Sequence, residues 1–565
     1  MTDTDAPDRV LEQARAWLAQ DPDTETQAEL RALIDAAEAG SSPAVEELHD
    51  RFDQRLVFGT AGLRGRIAAG PNRMNRVLVS QAAAGLAAYL KNHAPIGAVP
   101  SVVIGYDGRK NSQVFAEDTA AIMAGAGVRA MLLPRLLPTP VLAFAVRHLD
   151  ASAGVMVTAS HNPPDDNGYK VYLGGRDQGS QIVSPADVEI AEEILLVASG
   201  GSVLDLPRGG YEDAGESVVD AYVEATAAIV SPPSARVATL YTAMHGVGWE
   251  TFRRVITTAG FEEPKVVSAQ IEPDAAFPTV SFPNPEEPGA MDLAFEAARE
   301  ADAELVIAND PDADRLAVAI PDAASDTGYR RLSGNEVGLL LGWRAAESAA
   351  HGLNAGEGTL ACSIVSSPGL AAIARYYGLD TSNTLTGFKW ISRAPGLLFG
   401  YEEALGYLVD PHVVRDKDGV SAALAFLSLA ADLKADGLSV ADHLRRFTET
   451  FGAFASSQVS IRVSDLGDIA RLMTRLREEP PSHIGDVRVD RIDDLATGFG
   501  GLPPSDVLRI WLDDGSRVMV RPSGTEPKLK VYIDASSEEG TVDERTAAAT
   551  AAVAALEAGM RELLA

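Results

Sequence analysis

Cysteine is nearly absent from this chain of 565 residues, in which Cys362 stands alone. An intrachain disulfide and a zinc site built from several cysteines are therefore excluded, which fits a reducing compartment. The amino terminus lacks the basic start and apolar stretch of a secretory signal, and no run of about 18 apolar residues predicts a membrane span. We therefore expect a cytoplasmic protein.

Positive charge is also scarce. The 48 Lys and Arg residues are outnumbered by 80 Asp and Glu residues, which gives a formal net charge of −32. A chain this acidic repels nucleic acid and anionic membranes at long range, so neither is expected as a partner. A small anionic substrate remains compatible with the composition, provided that a local cationic site binds it.

The length of the chain and the order of its elements indicate several α/β domains. A single core stops growing at about 250–300 residues, so roughly four domains are expected. The segment from about residue 10 to residue 39 has helical periodicity and predicts an N-terminal helical extension. Beyond it, short β-branched runs end in polar, glycine-containing loops and alternate with helical stretches, which is typical of parallel sheets. Ligands gather at the carboxyl ends of such strands, so these loops are the candidate sites.

One such loop carries a serine. Ser160 follows an apolar strand within TASHNPPDDNGYK, and His161 and Lys170 are near it in sequence. A serine needs a base or a cation to become a nucleophile, and these two residues are candidates for that role. From the serine alone, a capped turn is the better interpretation. A G-x-S-x-G elbow is absent from the sequence, so a hydrolase triad is not indicated.

A second loop carries alternating carboxylates at Asp310, Asp312 and Asp314. In extended backbone these side chains point the same way, and like charges about 4 Å apart repel by about 4 kcal/mol per pair at an effective dielectric near 20. A hard cation such as Mg²⁺ or Mn²⁺ would offset that repulsion. A calcium EF-hand is excluded because Arg315 and Pro321 replace its glycine and glutamate. A solvated acidic turn remains the alternative.

Several further loops carry charged side chains that could bind a ligand. The segment RPSGTEP, from Arg521 to Pro527, combines a guanidinium, hydroxyls and main-chain N–H groups into an anion nest, although a tight turn is equally compatible. The paired glutamates of GYEEALG could accept hydrogen bonds from sugar hydroxyls, or lie in solvent. Arg64, Lys389 and Lys417 each lie close to a glycine. Together, one serine, a triple carboxylate and several cationic loops suit phosphoryl transfer.

Four motifs in a fixed order, TASHNP, DPDADR, GYEEALG and RPSGTEP, resemble the α-D-phosphohexomutase superfamily. The segments FGTAGLRG, TAMHGVG, FPTVSFPNPEEP and TGFKWI resemble its phosphoglucomutase/phosphopentomutase branch, and the likeness runs from about Phe58 to Ile533. This resemblance implies an α/β architecture of four domains, in which three similar α/β/α domains and a smaller C-terminal α+β domain surround a central cleft. The expected segments are an N-terminal helical extension (1–50), a phosphoserine domain (51–230), a metal-binding domain (231–333), a sugar-binding domain (334–454) and a phosphate-binding domain (455–565).

The resemblance also implies an activity. The expected enzyme is an isomerase of carbohydrate metabolism that interconverts glucose 1-phosphate and glucose 6-phosphate through a phosphoserine and a bisphosphate intermediate. One Mg²⁺ per chain and glucose 1,6-bisphosphate as activator are the expected cofactors. Phosphopentose and phosphomannose are alternative substrates, and a serine phosphatase or a sugar-phosphate binding protein are the alternative classes. The expected partners are small sugar phosphates, and the expected state is a monomer or weak homodimer.

The resemblance finally implies residue roles. Ser160 is the expected phosphoserine, and a phosphoryl oxygen on it completes a metal site with Asp310, Asp312 and Asp314. The expected catalytic residues are Ser160, Lys170, Arg64 and His161, with the choice of general acid/base open between Lys170 and His412. The expected substrate-binding residues are Arg315, Thr386, Gly387, Lys389, Glu402, Ala404, Lys417, Arg521, Ser523, Gly524 and Thr525. Ala404 stands where many relatives carry serine, which leaves the preferred sugar open.

Overall fold

The computed structural model describes residues 6–59, 62–351, 356–462, 466–522 and 528–564. Tertiary contacts divide the chain into two units. The first unit consists of Met1–Arg331 with Asp410–Ser428, and the second of Leu332–Val409 with Leu429–Ala565. Within the described ranges, no helix has both the length and the apolar character needed to cross a bilayer.

The helices follow one another along both units. They are α1 (Ala6–Gln20), α2 (Thr24–Glu38), α3 (Ser42–Phe52), α4 (Arg76–His93), α5 (Ser112–Gly125), α6 (Thr139–His148), α7 (Ala186–Ser199), α8 (Glu216–Ala227), α9 (Gly248–Thr258), α10 (Asp292–Ala301), α11 (Gly334–His351), α12 (Gly369–Tyr377), α13 (Phe388–Ile391), α14 (Gly419–Ala435), α15 (Val440–Phe451), α16 (Leu466–Glu478) and α17 (Val542–Leu564).

The strands alternate with these helices until the last domain, where they follow one another more directly. They are β1 (Leu63–Arg66), β2 (Ser101–Tyr106), β3 (Arg129–Leu132), β4 (Ala153–Val157), β5 (Asp166–Leu173), β6 (Ser180–Gln181), β7 (Glu212–Asp213), β8 (Thr239–Thr242), β9 (Lys265–Val266), β10 (Leu305–Asn309), β11 (Leu316–Pro321), β12 (Tyr329–Arg331), β13 (Thr359–Ser363), β14 (Asp380–Thr384), β15 (Leu397–Glu402), β16 (Gly406–Leu408), β17 (Ala453–Arg462), β18 (His483–Ile484), β19 (Val487–Asp494), β20 (Leu508–Leu512), β21 (Arg517–Pro522) and β22 (Lys528–Ser537).

The amino-terminal segment folds as three helices, not as the continuous helical stretch expected from residue 10 to residue 39. The chain breaks at Pro22, whose ring disfavours helix at the preceding residue, and Asp23 then caps α2 by accepting a hydrogen bond from the Glu25 N–H. The apolar faces of α1, α2 and α3 bury Trp17, Leu30 and Phe52 in a shared cluster. The sequence periodicity identified the buried faces but missed the break.

Three sheets repeat one topology, which confirms the expectation of three similar α/β domains. Each contains three parallel strands and a fourth strand that pairs antiparallel at one side, in the orders β3-β2-β4-β5, β9-β8-β10-β11 and β14-β13-β15-β16. In each sheet two neighbouring parallel strands, β2 and β4, β8 and β10, or β13 and β15, end at the same edge. The loops that follow these paired strands are therefore brought together.

The last domain is different and agrees with the expected α+β unit. Its sheet is antiparallel between the neighbours β17-β22-β21-β20-β19-β18. Alternating residues of these strands, such as Val518, Val531 and Ile510, pack in one core with Met473 of α16 and Leu556 of α17. The predicted domain boundaries at residues 50, 230, 333 and 454 stay predictions.

Candidate active site

Ser160 lies directly after β4 in a strained backbone conformation. Its φ of 53° is in the left-handed region, which is uncommon for residues other than glycine. The Ser160 N–H donates to Thr158 Oγ1 at 2.8 Å, and the hydroxyl donates to Asp310 Oδ2 at 2.8 Å. The fold of the first unit therefore joins two residues that are 150 positions apart in the sequence.

The three aspartates of the second loop converge as predicted, although in a turn with Ala313 at a φ of 52° and not in extended chain. Asp310, Asp312 and Asp314 are fully buried, and each offers one oxygen to a group within 4.8 Å. Asp312 Oδ1 and Asp314 Oδ1 have no hydrogen-bond partner among the described residues. A buried carboxylate oxygen without a partner is costly, so these two orphaned atoms fit a cation-binding role. Oxygen donors of this type suit Mg²⁺ or Mn²⁺.

Two lysine ammonium groups contact this carboxylate cluster. Lys170 Nζ donates to Asp312 Oδ2 at 2.8 Å and to Asp314 Oδ2 at 2.9 Å. Lys417 Nζ lies 3.1 Å from Asp314 Oδ2. Lys170 reaches the site from β5, which pairs with β4, whereas Lys417 reaches it from the segment 410–428, which belongs to the first unit.

Burial and these charges act on the acidic groups in opposite directions. Burial, reinforced by the neighbouring carboxylates Asp312 and Asp314, raises the pKa of Asp310 well above its ordinary value. Burial also tends to raise the pKa of Asp314, but Lys170, Lys417 and Arg315 outweigh it and lower that pKa. The cluster therefore holds at least one ionised carboxylate at neutral pH, with Asp310 the carboxyl most ready to carry a proton.

The side chains around Ser160 differ in charge. Burial, followed by the charges of Arg315 and Arg64, lowers the pKa of His161 well below its ordinary value, so this imidazole is neutral at pH 7. His161 Nδ1 lies 3.3 Å from Ser160 Oγ. Burial works against the charge of Lys170, yet Asp312 and Asp314 raise its pKa, so this ammonium keeps its proton.

Arg64 and Arg315 complete the charged surroundings of Ser160. Arg64 on β1 donates to Asn162 Oδ1 at 3.1 Å, next to the serine. Arg315 Nε lies 4.0 Å from an oxygen of both Asp310 and Asp314. The predicted site residues Ser160, His161, Lys170, Arg64, Arg315, Lys417, Asp310, Asp312 and Asp314 thus come together in the first unit.

The second unit gathers another part of the predicted site. Glu402 Oε1 accepts a hydrogen bond from the Gly387 N–H at 2.6 Å, and Thr386 Oγ1 accepts one from Arg521 Nη1 at 2.9 Å. Lys389 lies over the ring of Trp390, 5.7 Å from its centroid. Ala404 is half-buried in the turn after β15. The predicted residues Ser523, Gly524 and Thr525 lie outside the described residues.

The two glutamates of GYEEALG do not act as a pair. Glu403 Oε2 accepts hydrogen bonds from Ser363 and Ser366, both at 3.1 Å. Glu402 instead faces the main chain of Gly387. Strand β15 ends at Glu402, and Glu403 begins the turn that follows, so the two carboxylates reach different partners.

Arg109 is a site residue that the sequence analysis missed. It is 4% exposed, and its guanidinium donates to the main-chain oxygens of Ser160 at 2.6 Å and Asn162 at 2.5 Å. His412, the alternative acid/base, is exposed, and its carbonyl accepts a hydrogen bond from Arg147. Whether His412 or Lys170 serves as the acid/base stays a prediction.

Comparisons with known proteins agree along most of the chain. Four family models match, described as phosphoglucomutase/phosphomannomutase alpha/beta/alpha domain I (residues 55–197), domain II (220–323), domain III (333–451) and C-terminal domain (469–552). A "Probable phosphomannomutase" of Haemophilus influenzae is 55% identical over 493 residues, which cover 87% of this chain and 98% of that protein.

Two further comparisons extend this likeness. The phosphoribomutase of Saccharomyces cerevisiae is 35% identical over 590 residues, covering 93% of this chain and 92% of that protein. The crystal structure of a phosphoglucomutase/phosphomannomutase family protein from Burkholderia thailandensis superimposes with a TM-score of 0.68 at 20% identity, and covers 90% of this chain and 97% of that one. At this identity the structural match supports the fold alone.

Proposed function

The chain belongs to the phosphoglucomutase/phosphomannomutase family, whose members are isomerase-type phosphotransferases, and we propose that it interconverts glucose 1-phosphate and glucose 6-phosphate through a phosphoserine at Ser160. The observation that carries the proposal is the position of the Ser160 hydroxyl. It lies 2.8 Å from Asp310 of the buried triple carboxylate, with His161, Lys170 and Arg64 close by. A hydroxyl, a cation-binding cluster and several fixed positive charges are the parts that phosphoryl transfer requires.

The proposed cycle conserves phosphate. The Ser160 Oγ–P bond of the phosphorylated enzyme breaks while a P–O bond forms to the free hydroxyl of the sugar monophosphate, and that hydroxyl gives up its proton. The resulting bisphosphate turns around in the site. Its other phosphoryl group then returns to Ser160 Oγ, and the leaving sugar oxygen takes a proton. The products are the isomeric monophosphate and the regenerated phosphoenzyme.

Residues of the first unit serve the reacting end. Arg64, Arg315 and Lys417 would bind the oxygens of the transferring group, and His161, held neutral, would accept or return a proton near Ser160 Oγ. Lys170, which keeps its proton, is suited to donating one. Asp310, Asp312, Asp314 and a phosphoryl oxygen of Ser160 would hold one Mg²⁺, which when bound supplies neutralisation of the developing negative charge.

Residues of the second unit serve recognition of the substrate. We assign Thr386, Gly387, Lys389, Glu402 and Ala404 to the sugar, because the Glu402 carboxylate beside Gly387 offers an acceptor for a sugar hydroxyl. Arg521, with Ser523, Gly524 and Thr525 next in sequence, is assigned to the phosphate that does not react. A guanidinium can bind two phosphate oxygens at once.

Glucose phosphate is the first choice of substrate on the resemblance of the sequence motifs to the phosphoglucomutase branch, and the family descriptions name phosphoglucomutase and phosphomannomutase side by side. The names of the two relatives above make mannose and ribose phosphates the alternatives.

The experiment is a coupled assay with Mg²⁺ and glucose 1,6-bisphosphate that compares kcat/KM for glucose 1-phosphate, mannose 1-phosphate and ribose 1-phosphate. We expect the highest value for glucose 1-phosphate. A higher value for another sugar would overturn the choice of substrate and leave the mutase class intact. Steady release of inorganic phosphate in place of isomerised sugar would favour a phosphatase.

A further inference from the structure

Arg109, in the loop between β2 and α5, is built into the turn that carries Ser160. Its guanidinium donates to four main-chain oxygens of that turn, those of Ser160 at 2.6 Å, Asn162 at 2.5 Å, Pro163 at 2.8 Å and Asp166 at 3.2 Å. Main-chain carbonyls are ordinarily satisfied by N–H groups of helices, strands or turns. Here one side chain organises the whole loop.

Asp107, two residues earlier, holds the main chain of Arg109. Its carboxylate accepts hydrogen bonds from the Arg109 N–H at 3.0 Å and from Ser112 Oγ at 2.6 Å. On the other side of Ser160, Thr158 Oγ1 accepts the N–H of Ser160 at 2.8 Å. The N–H of Ser160 is therefore held by Thr158, and its carbonyl is held by Arg109.

This double support explains how Ser160 keeps its left-handed backbone. A non-glycine residue at a φ of 53° is strained, and it persists where surrounding contacts over-determine it. The backbone of Ser160 fixes the direction of Cβ and hence of Oγ. A shift of this backbone would move Oγ away from Asp310, which it now contacts at 2.8 Å.

Arg109 also touches the segment that follows β9 in the first unit. Its Cζ lies 4.9 Å from the ring centroid of Phe277, a buried residue whose own φ of 44° is in the left-handed region. A Cβ added to Gly108 would lie 3.1 Å from Pro273 of the same segment. The guanidinium is thus enclosed between the Ser160 turn and the chain near Phe277.

In the other two repeated sheets, too, the loop after one of the paired strands bonds the loop after the other. This is an observation independent of Arg109. In the second, Val247 in the loop after β8 donates its N–H to the Pro311 oxygen at 2.9 Å, within the triple-carboxylate loop after β10. In the third, Ser366 in the loop after β13 accepts the Glu403 N–H at 3.1 Å, in the turn after β15. In each sheet the loop after the first of the two paired strands supports the loop that carries the site residue.

We propose that Arg109 is a positioning residue for phosphoryl transfer, which fixes the main chain of Ser160 so that its phosphoryl group meets the substrate hydroxyl and not water. The proposal rests on the proposed function. Arg109 acts through the main chain of Ser160, so its loss changes the orientation of the phosphoryl group. Misplacement of a reacting group by about 1 Å costs up to about 100-fold in rate.

The test is the Arg109→Lys substitution, which keeps the positive charge but removes the fork that spans several carbonyls. We expect kcat to fall about 100-fold while KM changes little. The ratio of phosphate released from phosphorylated Ser160 to mutase turnover should rise at least about tenfold, because transfer to substrate depends on alignment more than attack by water does. Amide exchange in residues 158–167 should also accelerate.

The matched control is Arg51→Lys. Arg51 is likewise a buried arginine, and it binds Glu29 and Glu47 in the N-terminal helices and the Ala69 carbonyl in the loop after β1. Its substitution should lower Tm and leave the ratio of phosphate release to turnover unchanged. Arg109→Lys behaving like Arg51→Lys, or keeping kcat within about twofold, would overturn the proposal.

A second variant covers the case in which Arg109→Lys does not fold. The double substitution Asp107→Asn with Arg109→Gln removes both charges of the buried pair, so that no uncompensated charge remains. It should show the same rise in the ratio, and an unchanged ratio would overturn the proposal. Absence of mutase activity and of phosphate on Ser160 in the unsubstituted protein would instead refute the proposed function. Amide exchange at 158–167 would still report whether Arg109 supports the turn.

Discussion

Replacing Lys170 with methionine should destabilise the metal-free protein and make its stability depend on a divalent cation. The Lys170 ammonium contacts Asp312 at 2.8 Å and Asp314 at 2.9 Å, and all three side chains are almost completely buried. Methionine is unbranched like lysine and keeps most of its apolar stem, but it removes the charge. Two buried carboxylates then lose their nearest cation.

The size of the effect follows from these distances. At an effective dielectric near 20, each contact at this separation represents about 6 kcal/mol of attraction before desolvation is subtracted. Removal of one partner from a buried ion pair costs about 3–5 kcal/mol in practice. We therefore expect the free energy of unfolding in EDTA to fall by about 3–5 kcal/mol. Bound Mg²⁺ should restore more stability to the variant than to the unsubstituted protein, because in the variant no Lys170 ammonium already offsets the charge of Asp312 and Asp314.

The assay is urea unfolding at pH 8, in EDTA and in excess Mg²⁺, for the unsubstituted protein, Lys170→Met and the control Lys110→Met. Lys110 pairs with Glu25 at the surface, so its loss should cost less than about 1 kcal/mol and respond to Mg²⁺ like the unsubstituted protein. The reasoning fails if Lys170→Met and Lys110→Met are equally stable in EDTA, or if Mg²⁺ stabilises both by the same amount.

Two further predictions concern the supports of the site. Burial raises the pKa of Asp418 to about 6, so the native state binds a proton that the unfolded chain has released, and stability falls by about 3 kcal/mol as pH rises from 4 to 6. The free energy of unfolding of Asp418→Asn, relative to that of the unsubstituted protein, should therefore rise by that amount from pH 4 to pH 7 in urea unfolding. A difference between the two proteins that does not change with pH would contradict the raised pKa. Gly246→Ala would place Cβ 2.3 Å from Pro311 Cα in the triple-carboxylate loop, so Tm should fall by an amount equivalent to about 1–3 kcal/mol. Gly210→Ala, which meets open space, is its control, and equal Tm values for the two variants would refute the packing argument.

The sequence predicted most of the fold because its local signals agree with its tertiary structure. The β-branched run before TASHNP became β4, and the run before DPDADR became β10. The three similar domains were expected from the family resemblance, and no internal sequence repeat indicated them. A repeated topology depends on the order of the strands. Different side chains can form the same strand order, so the three domains need not share a sequence motif.

The site residues likewise include some that the sequence predicted and some that it did not. The convergence of Asp310, Asp312 and Asp314 was predicted from their spacing in extended chain. The structure brings them together by a turn instead, in which the Ala313 N–H donates to the Asp310 main-chain oxygen at 2.8 Å and Ala313 has a φ of 52°. Arg109 was missed because an arginine after a glycine in a loop has the pattern of a surface charge. Its role depends on β2 lying beside β4, a pairing that the sequence alone does not specify.

Lys417 shows a further limit of prediction from the sequence, since one of its contacts depends on tertiary structure. The resemblance placed it among the substrate-binding residues, and the fold adds a contact with Asp314, at 3.1 Å. The segment 410–428 packs with the first unit although the residues on both sides of it belong to the second. Such a return of the chain has no local signature, because each part of the segment is compatible with either unit.

The transfer of phosphate from Ser160 to sugar tests the central claim most directly. The protein is loaded at Ser160 with labelled phosphate from glucose 1,6-bisphosphate, mixed with unlabelled glucose 1-phosphate and Mg²⁺, and quenched within one turnover, with Ser160→Ala as the unlabelled control. We predict that the label leaves the protein at least as fast as kcat and appears in sugar phosphates. Label that remains on the protein through many turnovers, or that leaves as inorganic phosphate, would contradict the account.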